Sequence, residues 1–128
     1  MTKLSGVAVS IPKSKRDGQY WTTGQVNSGM VNFLIDTGAS IVALTPEDAR
    51  RAWIRLEDLT YDFPISTAAG QNVAARVTLK NISIGPITLR NVDAIVVPEG
   101  LSTSLLGMTF LGKLQKVEAT PYELILRL

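Results

Sequence analysis

The sequence predicts an all-β, barrel-like domain with one or two short helices. Three observations lead there. Short apolar runs recur at close intervals along the chain. Turn-forming groups fall between them: Asn27-Ser28-Gly29, Gly85-Pro86, Arg90-Asn91 and Thr120-Pro121. Only two stretches carry helical signals. At 128 residues and 45% hydrophobic content, the chain can bury one core but not two.

The elements follow in order. Val7 to Ile11 alternates as a first strand, and Pro12 to Gly18 reads as a loop. Tyr20 to Val26 and Met30 to Ile35 flank Asn27-Ser28-Gly29 as a hairpin, with Trp21 expected to pack in the core. Ile41 to Leu44 is a short apolar strand. Thr45-Pro46-Glu47-Asp48 then starts a helix that runs to about Trp53: Thr45 caps it, Pro46 suits its first position, and the two acids complement its positive end. Pro64 to Val73 forms a hairpin with small residues at its tip. Val77 to Ile84, Ile87 to Leu89 and Val92 to Val97 add strands. Met108 to Leu114 has helical spacing, and Lys116 to Ala119 pairs with Tyr122 to Leu128. Residues 1–18 read as an N-terminal arm and 19–128 as the domain.

Composition removes whole classes of chemistry. There is no Cys, hence no disulfide framework, thiolate nucleophile or thiolate metal site. There is no His, which removes Ser-His and Cys-His nucleophilic systems and most zinc sites. No metal or other cofactor is expected. A net charge of +2 is too small for a broad basic surface, and Lys13-Ser14-Lys15-Arg16 reads as a solvated turn, so nucleic acid is not an expected partner. No stretch is long and apolar enough to span a bilayer, and the first twenty residues lack a signal-peptide core. The chain as given is expected to be soluble, without membrane contact of its own. That is compatible with its being cut from a longer tethered protein.

One motif stands apart. Phe33-Leu34-Ile35 delivers Asp36 into a Thr37-Gly38 turn, placing a carboxylate at the end of a buried strand. Such burial is costly unless the charge is paired or shared. Asp17, Asp48, Asp58, Asp62 and Asp93 lack both the apolar approach and the following Thr-Gly.

Asp36-Thr37-Gly38-Ala39-Ser40, a small-tipped hairpin after it, and a late Leu105-Leu106-Gly107-Met108-Thr109-Phe110-Leu111 segment resemble the retropepsin-like aspartic proteases, and among them the bacterial single-domain branch. The resemblance covers roughly Gln19 to the C-terminus and implies a closed barrel with a flap hairpin. It also implies an aspartic endopeptidase acting on peptides or proteins. Two carboxyls in contact share one proton, since both cannot ionise so close together, and the pair activates water. One Asp-Thr-Gly per chain then implies a homodimer with Asp36 opposite its own mate.

Further roles follow from the same resemblance. Thr37 would bond across the dimer axis and Gly38 would leave room for the backbone. Ala39 and Ser40 would line the cleft, and Ala68, Ala69 and Gly70 would form the flap tip that closes over substrate. Leu105-Leu106-Gly107 would pack under the catalytic loop. The shared proton implies a bell-shaped pH profile, and Ala39, which brings no hydroxyl donor, implies that the optimum lies in mild and not strong acid. The chain departs from viral members at Ser40, where they carry an acid, and at Met108-Thr109, where they carry an Arg. Other readings are a non-catalytic dimeric peptide-binding domain of the same fold, an aspartyl phosphoryl-transfer enzyme, and a purely structural interaction domain. The phosphoryl reading lacks the Lys or second Asp it needs close behind Asp36.

Overall fold

The computed structural model describes residues 7–128. Ten strands and two short helices follow one another as β1 (Ala8–Pro12), β2 (Trp21–Val26), β3 (Gly29–Ile35), β4 (Val42–Leu44), α1 (Pro46–Arg51), β5 (Tyr61–Thr67), β6 (Gly70–Ile84), β7 (Ile87–Val96), β8 (Ser104–Leu106), α2 (Met108–Leu111), β9 (Lys116–Ala119) and β10 (Glu123–Arg127). A single 3-10 turn, Leu56–Asp58, lies between α1 and β5.

A seven-stranded sheet runs β2-β3-β8-β4-β7-β6-β5, and β2 also pairs with β6 through Gln25–Ser83 and Val26–Ile82. That extra pairing closes six strands into a barrel and leaves β5 outside the ring. Closure removes the sheet edge at β2, while β5, among the described residues, keeps one unpaired edge. The inward positions fill one core, with Val26, Val31, Phe33, Leu44, Leu79, Ile82, Ile84, Leu106 and Phe110 essentially without solvent contact. Each such side chain contributes about 1.5–3 kcal/mol of burial. The all-β closed barrel with two short helices is the fold the sequence predicts.

β1 pairs along its whole length with β10, whose other edge is taken by β9, giving a second sheet ordered β1-β10-β9. Ile11 of β1 is buried in the common core, so residues 8–12 pack as part of the domain. Residues 1–6 of the proposed arm lie outside the described residues.

Local chemistry explains the turns. Asn27 (φ 47°) and Ser28 (φ 79°) form a two-residue connection between Val26 and Gly29, the geometry that matches strand twist and requires positive φ at both positions. The Asn27 side chain also donates to the Ala52 carbonyl (3.1 Å) and accepts from the Lys80 amide (2.8 Å), tying this hairpin to α1 and β6. Thr45 caps α1 as expected, its hydroxyl accepting from the Asp48 amide at 3.2 Å.

Four local expectations are corrected. β7 is one strand, not two: pairing with β6 passes over Asn91, which takes φ 54° without breaking the register. The hairpin after α1 is longer than Pro64–Val73, because β5 begins at Tyr61 and β6 continues unbroken to Ile84. α1 stops at Arg51, with Trp53 beyond it at φ 63° and 77% exposed. Trp21 is not a core residue. It is half-buried, and its indole N–H donates to the Asp17 carboxylate at 2.9 Å. Asp17 also accepts from the Gln19 amide, and these bonds, the backbone one foremost, hold its carboxyl below the usual carboxylate range. The Pro12 to Gly18 region is therefore an ordered turn, with Lys13 resting 5.9 Å from the Tyr20 ring centre.

Candidate active site

β3 and β8 run parallel, with Phe33, Leu34 and Ile35 opposite Ser104, Leu105 and Leu106. This pairing sets the end of β3, and the Asp36 amide extends it by donating to the Leu106 carbonyl at 3.2 Å. The chain then turns. Gly38 N–H donates to Asp36 Oδ1 at 2.8 Å and Ala39 N–H to the Asp36 carbonyl at 3.1 Å, so the loop is fixed around the carboxylate. Among the described residues, Asp36 Oδ2 has no hydrogen-bond partner. Asp36 is half-buried, and Thr37 and Gly38 are exposed in the single chain. The strand is as buried as the sequence suggests, but the carboxylate itself sits at its open end.

Gly107 supports this loop from beneath. A Cβ at Gly107 would lie 2.6 Å from the Ile41 carbonyl oxygen and 2.7 Å from that of Ala39, closer than real contacts allow. The Met108 amide donates to the same Ala39 carbonyl at 2.8 Å. Leu105-Leu106-Gly107 thus packs under the Asp36 loop. Thr109 adds a second tie: its hydroxyl accepts from the Val42 amide (2.9 Å) and donates to the Asp93 carbonyl (2.7 Å). These bonds connect α2, β4 and β7 where viral members are expected to place an Arg.

A further brace was not legible in the sequence. Buried Ser104 donates to Asp48 at 2.6 Å and accepts from the Thr45 amide, while Arg51 pairs with the other Asp48 oxygen at 2.9 Å. Asp48 therefore anchors α1 to β8 and is no partner for Asp36, as its capping position implied.

Asp36 opens onto a cleft of about 700 Å³. Gly38, Ala39, Ser40 and Ala68 line it with Asp36, whereas Thr37, Ala69 and Gly70 do not. Its floor crosses the sheet through Leu34, Leu105, Ala43 and Ile95, and Phe63 and Ile65 of β5 form the far wall. Gly100 to Thr103, the loop before β8, closes the other side and was not singled out from sequence. Among the described residues lining this cleft, Asp36 is the sole carboxylate. No group of three or more acidic residues suited to a metal ion occurs among the described residues either.

The β5–β6 hairpin borders the cleft from Phe63 to Ala68. Its tip is built by Thr67, whose hydroxyl accepts from the Ala69 amide and donates to the Gly70 carbonyl, both at 3.1 Å. Gly70 takes φ 112°, a conformation that side chains with a Cβ resist. Asn72 secures the tip by donating to the Glu99 carbonyl at 2.8 Å. Because a Cβ at Gly70 meets nothing within 4 Å, its constraint is conformational and not steric. Gly70→Val is expected to cost about 1–2 kcal/mol locally and to impair peptide turnover far more than thermal unfolding. Paired kinetic and unfolding measurements check this, and unchanged kinetics would separate the hairpin tip from function.

A largely apolar cleft, one carboxylate at a strand end and a hairpin along one wall define the candidate site. Residues 22–113 match the family described as gag-polyprotein putative aspartyl protease, and the chain belongs to that family. It has the retropepsin-like fold. A crystal structure of a retropepsin-like aspartic protease from Rickettsia conorii superposes with a TM-score of 0.85 at 35% identity, covering 94% of this chain and 90% of that one. The EIAV protease complexed with the inhibitor HBY-793 shares the fold at a TM-score of 0.62 and 19% identity, over 77% of this chain and 90% of that one. Two curated relatives are an uncharacterized protein in the cobV 5′ region of Sinorhizobium sp, 44% identical over 99% of this chain, and protein RP867 of Rickettsia prowazekii, 38% identical over 76%. The chain spans about half the length of these relatives, 55% and 42% respectively. Among the described residues no helix is long and apolar enough to cross a membrane.

Proposed function

We propose that the chain is an aspartic endopeptidase that works as a homodimer, with the two Asp36 carboxyls forming its catalytic pair. One observation carries the reading: Asp36 is the sole carboxylate among the described residues lining a peptide-sized apolar cleft, and one of its oxygens is without a protein partner. The exposed Thr37 and Gly38 beside it offer the surface on which a second copy would complete the site.

In the proposed reaction one carboxylate takes a proton from water as the water oxygen attacks the scissile carbonyl. The other, protonated, gives its proton to the carbonyl oxygen. Collapse of the tetrahedral intermediate returns that proton and delivers one to the leaving amine nitrogen. Gly38 N–H steadies the carboxylate in the orientation this exchange needs, and Thr37 bonds across the axis. Ala39, Ser40 and Ala68 contact the peptide from the cleft walls, and the hairpin tip that carries Ala69 and Gly70 closes over it to exclude water. Apolar floor residues suit hydrophobic side chains beside the scissile bond.

Incubation with a diverse peptide library, with cleavage sites read by mass spectrometry, tests the reading. Cleavage by wild type whose specific activity falls on dilution supports it. Peptides that bind in the cleft but are never cut, under any pH from mild acid to neutral, would favour the non-catalytic peptide-binding alternative.

A further inference from the structure

Beside the main cleft lies a second pocket of about 570 Å³ that shares Ile41, Phe63 and Ile95 with it. The shared residues place the two side by side. Whereas Asp36 is the one charged residue among the described residues lining the cleft, this pocket carries both signs: Arg76 and Asp93 both line it.

The Arg76 guanidinium lies 5.4 Å from the Phe63 ring centre, within the range of a cation–π contact. That contact holds the side chain over a wall of the cleft. Among the described residues Arg76 makes no ion pair and its side chain makes no hydrogen bond, so its donors are unclaimed. A planar guanidinium with unclaimed donors suits a carboxylate, which it can bind through two parallel bonds.

The register ranks the two charges. Arg76 pairs with Ile95, one of the residues common to both pockets, while Asp93 pairs with Thr78, one pleat further from the cleft. A side chain entering from the cleft meets Arg76 first. We propose that Arg76 forms a subsite that selects an acidic side chain in the bound peptide. This rests on reading the Asp36 cleft as a peptide-binding site.

The test uses synthetic peptides in which Glu, Gln and Lys are exchanged at each position of a sequence selected from a library, by cleavage or, without cleavage, by binding to Asp36→Asn protein. Two readouts run in parallel: kcat/KM for the active protein, and fluorescence anisotropy of the same labelled peptides on Asp36→Asn protein. Wild type is expected to favour Glu over Lys about three- to tenfold at one such position, as a partly exposed charge pair allows. Arg76→Gln should bring that ratio to about one and Arg76→Glu should invert it, while Asp93→Asn should raise it. Arg76 is exposed, and equal unfolding temperatures of the variants verify the fold.

A Glu/Lys ranking unchanged in Arg76→Glu overturns the subsite, as does an absence of charge preference at every position or of any peptide binding. A Lys preference abolished by Asp93→Asn would give the pocket to Asp93 and equally overturn it. Charge-selective binding without cleavage by any form would leave the subsite standing and remove the proteolytic reading.

Discussion

Asp36→Asn is expected to lower peptide cleavage by about a thousandfold or more, the scale associated with loss of a positioned proton-transfer group. The amide cannot take a proton from water or hold the one the pair must share. The substitution is nonetheless nearly isosteric, and an Asn Oδ1 can still accept from Gly38 N–H, so the loop keeps its 2.8 Å bond. Global stability should therefore change by no more than ~0.5 kcal/mol. Chemical denaturation and initial-rate measurements on the same preparation separate the two quantities. Normal turnover by a verified mutant would remove Asp36 from the mechanism, and a large stability loss would recast it as a structural residue.

Gly107→Ala should damage both stability and activity, and for a single reason. The added methyl would sit 2.6 and 2.7 Å from two backbone carbonyl oxygens, those of Ile41 and Ala39. Neither is the end of a flexible side chain, so the loop holding Asp36 must move. Overpacking of this kind costs about 1–3 kcal/mol, a fall of several degrees in melting temperature. Displacement of a reacting group by ~1 Å costs about a hundredfold in rate. The expected signature is a modest loss of stability with a much larger loss of kcat. Full activity in a variant of normal stability would show that Gly107 does not position the loop.

The contrast between these residues shows what the chain discloses by itself. Local rules specified much of the barrel. Asn27-Ser28 announces a tight hairpin, Thr45-Pro46 a helix start, and alternating apolar residues the inward faces. Where two local signals conflicted, packing decided. Arg90-Asn91 looked like a break, yet β6 supplies partners on both sides of it and β7 continues. Trp21 looked like core, yet its indole N–H finds Asp17 at the surface.

The candidate site was legible where its residues are consecutive, from Asp36 to Ser40. It was not legible where they converge from distant segments. Ser104 reaching Asp48 spans 56 positions, Thr109 reaching Val42 spans 67, and Arg76 meets Phe63 only across paired strands. No spacing rule within one segment encodes such meetings. They depend on the strand order, which sets β8, β4 and β7 side by side and β5 against β6.

The central claim is that one chain holds half of a catalytic pair. The most direct measurement mixes wild-type protein with Asp36→Asn protein, allows subunits to exchange, and follows cleavage at constant wild-type concentration. If two Asp36 carboxyls act together, random pairing should reduce activity to about half at equal concentrations and to about a tenth at ninefold mutant excess. Activity that stays constant across that series, with exchange verified, would mean that a single chain carries the whole site and would contradict the account.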